Sequence, residues 1–78
     1  MKRKIKLIWD FRGHEALKIA EHHCEHLKEF ANIDNLDFYE TGVNQISEVY
    51  CMAYVIVDEK DLITYRDALK PHRGEIAK

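Results

Sequence analysis

The run His22-His23-Cys24-Glu25-His26 holds three imidazoles in five residues, and imidazole nitrogen binds zinc and nickel. His22 and His26 are four residues apart, so a helix places both on one face within reach of a single ion. A metal site normally needs a third protein ligand, and Glu25 lies about 100° away round the helix. We therefore expect solvated or structural histidines and no cofactor, with divalent-metal binding through His22 and His26 as the alternative.

A second set of polar residues meets at one end of the molecule only if the chain folds as its apolar pattern predicts. The set is Arg12, His14, Asn44, His72 and Arg73. A guanidinium holds carboxylate or phosphate through two hydrogen bonds, and a helix N-terminus also attracts anions. This combination predicts a binding site for a small anionic ligand.

Two alternatives use the same end of the molecule. Histidine titrates near neutral pH, so His14 and His72 are candidate acid and base residues of an enzyme acting on a small acidic substrate. In the other alternative no ligand binds, and Arg12 and Arg73 form ion pairs with Asp10 or Glu75. The sequence does not decide whether the protein is an enzyme.

The composition is that of a small soluble globular protein. The 78 residues form a single domain, 46% of them are hydrophobic and 33% are charged. Residues 13–59 hold two lysines and ten acids, so nucleic-acid binding is not expected. The apolar runs are shorter than the roughly 20 residues of a membrane span, and the basic start precedes no secretory segment. We expect a cytoplasmic protein without membrane contact.

The segment 48–57 begins with Glu48 and continues with the longest uncharged run in the chain. It predicts a central β-strand. Alternate positions carry small side chains, which suits helices packed closely against that face. The other face carries the large side chains of Tyr50, Met52, Tyr54 and Ile56.

The remaining elements follow from apolar spacing and turn residues. Residues 4–11 alternate as a half-buried strand, and residues 14–31 repeat apolar side chains at helical spacing. Residues 36–41 predict a short strand, followed by a turn at 42–45 that makes a hairpin with the central strand. Asp58 caps a second helix that ends before Pro71, and residues 72–78 add a terminal turn. Cys24 and Cys51 fall at apolar positions and are expected to be buried.

This β-α-β-β-α order predicts an α+β two-layer sandwich with both helices on one face of a three-stranded sheet in the order 1-3-2. The topology resembles a ferredoxin-like fold that lacks its last strand. Two helices cover only one face, so the face with Tyr50, Met52, Tyr54 and Ile56 is left open. A second copy packed sheet to sheet would bury that face, as in the dimeric α+β barrels that this layout resembles. We expect a homodimer that serves as an interaction or small-anion-binding module; a solvated face or a different protein partner are the alternatives.

Overall fold

The computed structural model describes residues 3–77. Its elements are β1 (Lys4–Arg12), α1 (Ala16–Ile33), β2 (Glu40–Ser47), β3 (Tyr50–Asp58), α2 (Leu62–Leu69) and β4 (Arg73–Ala77). Neighbouring strands are antiparallel in the order β2-β3-β1-β4. The α+β class with two helices is as predicted. The predicted three-stranded sheet in the order 1-3-2 is wrong, because a fourth strand lies beside β1.

The fourth strand is the segment that the sequence predicted as a terminal turn. Residues Arg73–Ala77 pair with Lys4–Ile8, and the ferredoxin-like element order is therefore complete. Ile76 alone among them has a large apolar side chain, and four of the five residues are exposed. Pairing with β1 fixes this strand, and neither alternation nor β-propensity marks it in the sequence.

The second strand lies further along the chain than predicted. It covers Glu40–Ser47, and Glu48 and Val49 form the hairpin turn in place of residues 42–45. Gly42 and Asn44 resemble turn residues but lie within the strand, opposite Tyr54 and Met52. A Cβ atom at Gly42 would lie 3.0 Å from the Tyr54 hydroxyl oxygen, so glycine is needed there because the tyrosine ring crosses the strand.

The helices cover the face of β3 that carries small side chains, as predicted. Cys51 and Ala53 pack against Ala16 and Ala20 of α1, and all four residues are fully buried. A second cluster joins the larger side chains of both layers: Leu7, Trp9, Leu27, Ala31, Val55, Val57 and Tyr65. Small residues on both surfaces let the helix approach the sheet closely, and this explains why the core of so short a chain is well sealed.

The second helix is short and is fixed at both ends. Asp58 accepts a hydrogen bond from the Lys60 amide and caps a 3₁₀ turn over Glu59–Asp61, which leads into α2. At the other end the Trp9 indole donates to the Leu69 carbonyl oxygen at 2.9 Å. Neither helix of the described residues is long and apolar enough to cross a membrane.

Candidate functional site

Asp10 is the centre of a hydrogen-bonded network on the open face, the face of the sheet opposite the helices. Its carboxylate accepts a hydrogen bond of 2.5 Å from the Tyr50 hydroxyl. Arg73 donates to the same carboxylate from Nε at 3.1 Å and from Nη2 at 3.0 Å. The strands β3, β1 and β4 each supply one member, so the network exists only in the assembled sheet. Its three side chains are therefore held in place by tertiary structure.

The network keeps Asp10 ionised. The hydrogen bond from Tyr50 lowers the pKa of Asp10 most, Arg73 lowers it further, and partial burial opposes both. The same contacts raise the pKa of Tyr50 and of Arg73, because each donates to the carboxylate. An ionised Asp10 between two donors serves as a fixed acceptor, and we assign it a structural role on this face.

His72 joins the network through its ring. The backbone amide of Asp10 donates to His72 Nδ1 at 2.8 Å, so Nδ1 serves as the acceptor nitrogen of the ring. The backbone amide of His72 donates to the Ile8 carbonyl oxygen at 2.9 Å. These two bonds attach the start of β4 to β1. They place His72 and Arg73 next to Asp10, at the end of the molecule where the sequence predicted a site.

The other predicted ligand-binding residues lie around this network in different ways. Arg12 places its guanidinium 4.1 Å from the centre of the Tyr50 ring. Asn44 lies opposite Met52 on β2, in the row of the sheet that also holds Asp10. His14 is exposed in the loop between β1 and α1. Arg12 and Asn44 therefore share the open face with Asp10 and Arg73.

Arg73 makes the contacts that the ion-pair alternative predicts. Besides Asp10, it approaches Glu75, with 3.8 Å between Nη1 and Oε1. Its Nη2 also lies 2.8 Å from Met52 Sδ. An anion that bound Arg73 through two hydrogen bonds would have to displace Asp10.

Cations lie over the tyrosine rings of the open face. Lys6 Nζ is 4.5 Å from the centre of the Tyr54 ring, and Lys4 Nζ is 4.6 Å from that of Tyr39. The Tyr54 hydroxyl donates to Glu40 at 2.6 Å, and this bond, with burial, raises the pKa of Tyr54 to about 12. The Tyr39 hydroxyl donates to Asp58. Each of these tyrosines is therefore held by a cation over its ring and an acid at its hydroxyl.

The open face is covered by its own side chains more fully than its apolar residues alone suggested. Ile8 lies at the centre of this face, between Tyr54 on β3 and Arg73 on β4, and is only 2% exposed. Met52, Tyr54 and Ile56 are half-buried in the single chain. The sequence analysis did not predict the cations above the rings. The alternation along β1 places lysines on the same face as Ile8, and this pattern could have predicted cations near the tyrosine rings.

The histidine cluster divides as its helical spacing predicts. The rings of His22 and His26 are 4.5 Å apart at the surface of α1. His23 packs between Trp9 and Phe11, with ring centres at 4.7 and 5.5 Å, and its buried Nε2 has no hydrogen-bond partner. Burial lowers the pKa of His23, and the neighbouring His26 and His72 lower it further. Within residues 3–77, His, Cys, Asp and Glu side chains form no group of three or more that could hold a metal ion.

Comparison of the chain with protein-family models, with curated proteins and with solved structures found no match.

Proposed function

We propose that this protein is a small homodimeric interaction module and that its open face packs against the same face of a second copy. One observation carries the proposal: Tyr50, Met52, Tyr54 and Ile56 form a half-buried aromatic and apolar row, with cations held against the tyrosine rings. The helices leave this row to solvent, whereas they seal the other face of the sheet.

The residue types support a protein partner at this face. Tyrosine, methionine and arginine are enriched at protein interfaces, and tyrosine and arginine are among the residues that contribute most to the binding energy. Tyr50 and Tyr54 are held at their hydroxyls by Asp10 and Glu40, so little side-chain freedom would be lost on binding. A preformed row of this kind binds a partner at lower entropic cost than a row of free side chains.

The charges of the open face favour a second copy of the same chain. Lys4, Lys6, Arg12 and Arg73 lie on it together with Asp10, Glu40 and Glu75. A face that carries both signs can meet its own copy without net repulsion, because two-fold symmetry can place a cation of one copy near an acid of the other. A face of one sign would favour a partner of opposite charge.

Two glutamates introduced into the row test this proposal. Met52→Glu with Ile56→Glu puts carboxylates at the proposed contact, and we expect the dissociation constant of the dimer to rise at least 100-fold. The matched control is Ile19→Glu with Ile33→Glu, which makes the same kind of change on α1 at residues that are 47% and 75% exposed. Size-exclusion chromatography with light scattering measures the mass, and circular dichroism checks the fold. Equal dissociation constants for both double variants would contradict the proposal.

A second candidate function is the binding of a small anion beside Arg12 and Arg73. The observation in its favour is that both guanidinium groups flank Tyr50, with His72 next to Arg73. Asp10 competes for Arg73, so Asp10→Asn should strengthen the binding of inorganic phosphate and Arg73→Gln should weaken it at least tenfold. Calorimetric titration of phosphate measures both effects. Absence of phosphate binding in the Asp10→Asn variant would remove this candidate.

Binding and catalysis at this end differ in their dependence on histidine. A binding module tolerates His14→Ala and His72→Ala as long as the arginines remain. An enzyme with a histidine acid or base keeps its ligand but loses turnover. The hydrogen bond that His72 Nδ1 accepts from the Asp10 amide leaves Nε2 as the ring atom available to a substrate.

A further inference from the structure

The sheet ends at β4, and the outer side of this strand has no strand partner among the described residues. Its backbone groups are therefore available for pairing with another chain. The opposite edge strand, β2, has an irregular register between Gln45 and Ser47, and bulges of this kind disfavour edge-to-edge pairing. The pairing with β1 shows no such shift in β4.

Apolar surface adjoins the β4 edge on the helix side of the sheet. Ile76 of β4 and Ile63 of α2 are 65% and 60% exposed. Between α2 and the strand lies a cavity of about 360 Å³, whose apolar lining includes Ile5, Leu7 and Leu62. The short helix α2 thus leaves the outer part of the sheet uncovered, directly beside an unpaired edge.

We infer that the β4 edge binds the β4 edge of a second copy in antiparallel register, with the two-fold axis at Gly74. This register places Arg73 opposite the partner's Glu75 and Glu75 opposite the partner's Arg73. A register centred on Glu75 would instead place two carboxylates against each other. Within one chain Arg73 Nη1 lies 3.8 Å from Glu75 Oε1, while Nε and Nη2 donate to Asp10, so Nη1 is the nitrogen that Asp10 leaves for a second carboxylate.

The same two-fold axis covers the apolar surface. Pairing of the edges forms one continuous sheet of eight strands, and the two α2 helices then lie on the same side of it. Ile76 lies on the helix side of the paired edges, so part of its exposed apolar surface is removed from water next to the backbone pairing. A second copy is favoured over an unrelated peptide because the sequence Arg-Gly-Glu is complementary in charge to itself in this register.

This contact is separate from the proposed dimer. The open face and the β4 edge are different surfaces, and both together would join two dimers into a tetramer. With the axis at Gly74, only residues 73–75 of β4 face the same strand of the partner, so we expect the edge contact to be the weaker of the two.

A cysteine at the proposed two-fold axis tests the edge contact. A Cβ atom at Gly74 would lie 3.7 Å from a Leu7 methyl group, which is ordinary contact, so Gly74→Cys should fold normally. Facing residues of antiparallel strands have Cα atoms about 4.5–5.5 Å apart, within the range that a disulfide spans. Under mild oxidation Gly74→Cys should give a disulfide-linked dimer. Cys24 and Cys51 are buried and should not interfere.

The control is Gln45→Cys, an exposed position on the opposite edge strand. We expect at least tenfold less disulfide-linked dimer from it than from Gly74→Cys, and Ile76→Lys added to Gly74→Cys should reduce the yield several-fold. Equal yields from Gly74→Cys and Gln45→Cys would overturn the edge contact. Adding Met52→Glu and Ile56→Glu to Gly74→Cys separates the two proposals, because the edge disulfide should still form when the open face is disrupted.

Discussion

Leu7 and Ile8 are neighbours on β1, and each is only 2% exposed, yet opposite faces of the sheet bury them by different means. Leu7 lies within the core cluster under the helices. Ile8 lies on the open face between Tyr54 and Arg73, and the side chains of this face cover it. One face is therefore sealed by secondary structure and the other by long, partly polar side chains. A cover made of side chains leaves a surface that a partner can contact directly, whereas the other face already lies under the helices.

Truncation of these two neighbours should give the largest difference between the faces. Leu7→Ala leaves a cavity in a rigid core, and we expect a loss of about 3–5 kcal/mol in the free energy of unfolding. Ile8→Ala should cost less, about 2 kcal/mol, because side chains can settle into the gap more readily than a packed helix can. Urea denaturation of both variants measures the difference. A larger loss for Ile8→Ala would show that the open face is as rigid as the core.

Overpacking should distinguish the two faces of β3. Ala53 is fully buried against α1, so Ala53→Leu should push the helix away and cost about 1–3 kcal/mol. A volume-conserving change on the open face, Met52→Leu, is the reference and should cost less than about 1.5 kcal/mol. Thermal unfolding followed by circular dichroism measures both. Equal losses would contradict a closely packed helix side.

The network around Asp10 predicts a dependence of stability on acid pH. The pKa of Asp10 is lower in the folded chain than in the unfolded one, so its contribution is fully present above the unfolded value of about 3.9. The contribution is lost as the pH falls through the folded pKa. Asp10→Asn should therefore lower stability at neutral pH, and the difference from wild type should shrink as the pH falls below about 3.9. A constant difference between variant and wild type from pH 7 to pH 2 would contradict the role of the network.

The smallest effect concerns His23, which titrates on the helix side. Its pKa is lowered by burial in the folded chain, so the unfolded chain binds the proton more tightly. Stability should be complete above the unfolded pKa of about 6.5 and should decline as the pH falls below it towards the folded pKa. His23→Phe should remove this decline, because phenylalanine fits between Trp9 and Phe11 without an unpaired buried nitrogen. Melting temperatures from pH 7.5 to pH 5 measure the slope in both proteins, with the exposed His14→Ala as the surface control.

The strongly periodic parts of the fold could be predicted from the sequence. The helical repeat of Leu17, Ala20, Cys24, Leu27 and Ala31 predicts α1, and the small-residue face of β3 predicts its packing partner. All of these residues are buried except Leu17, and Ala16 is buried in its place. The fourth strand could not be found, because Gly74 and Glu75 disfavour strands and only the pairing with β1 holds them there. Likewise Gly42 marks a turn in the sequence, whereas in the fold it makes room for the Tyr54 ring.

The candidate site was predicted only in outline. The predicted topology places His72 and Arg73 near Asp10, and both residues are hydrogen-bonded to Asp10 in the structure. The contribution of Tyr50 to this network and the placement of lysines over Tyr39 and Tyr54 depend on register across three strands. Hydrophobic spacing predicts which face of the sheet a residue lies on. It does not predict which residues of neighbouring strands lie opposite each other, and these contacts depend on that register.

The most direct test of the central claim is sedimentation equilibrium of the wild-type protein beside the Met52→Glu/Ile56→Glu variant. If the open face joins two copies, the mass of the wild type is at least twice that of the 9.3 kDa chain. The double variant then has half the mass of the wild type. Equal masses for two folded proteins would contradict the account, because the open face would then take no part in self-association.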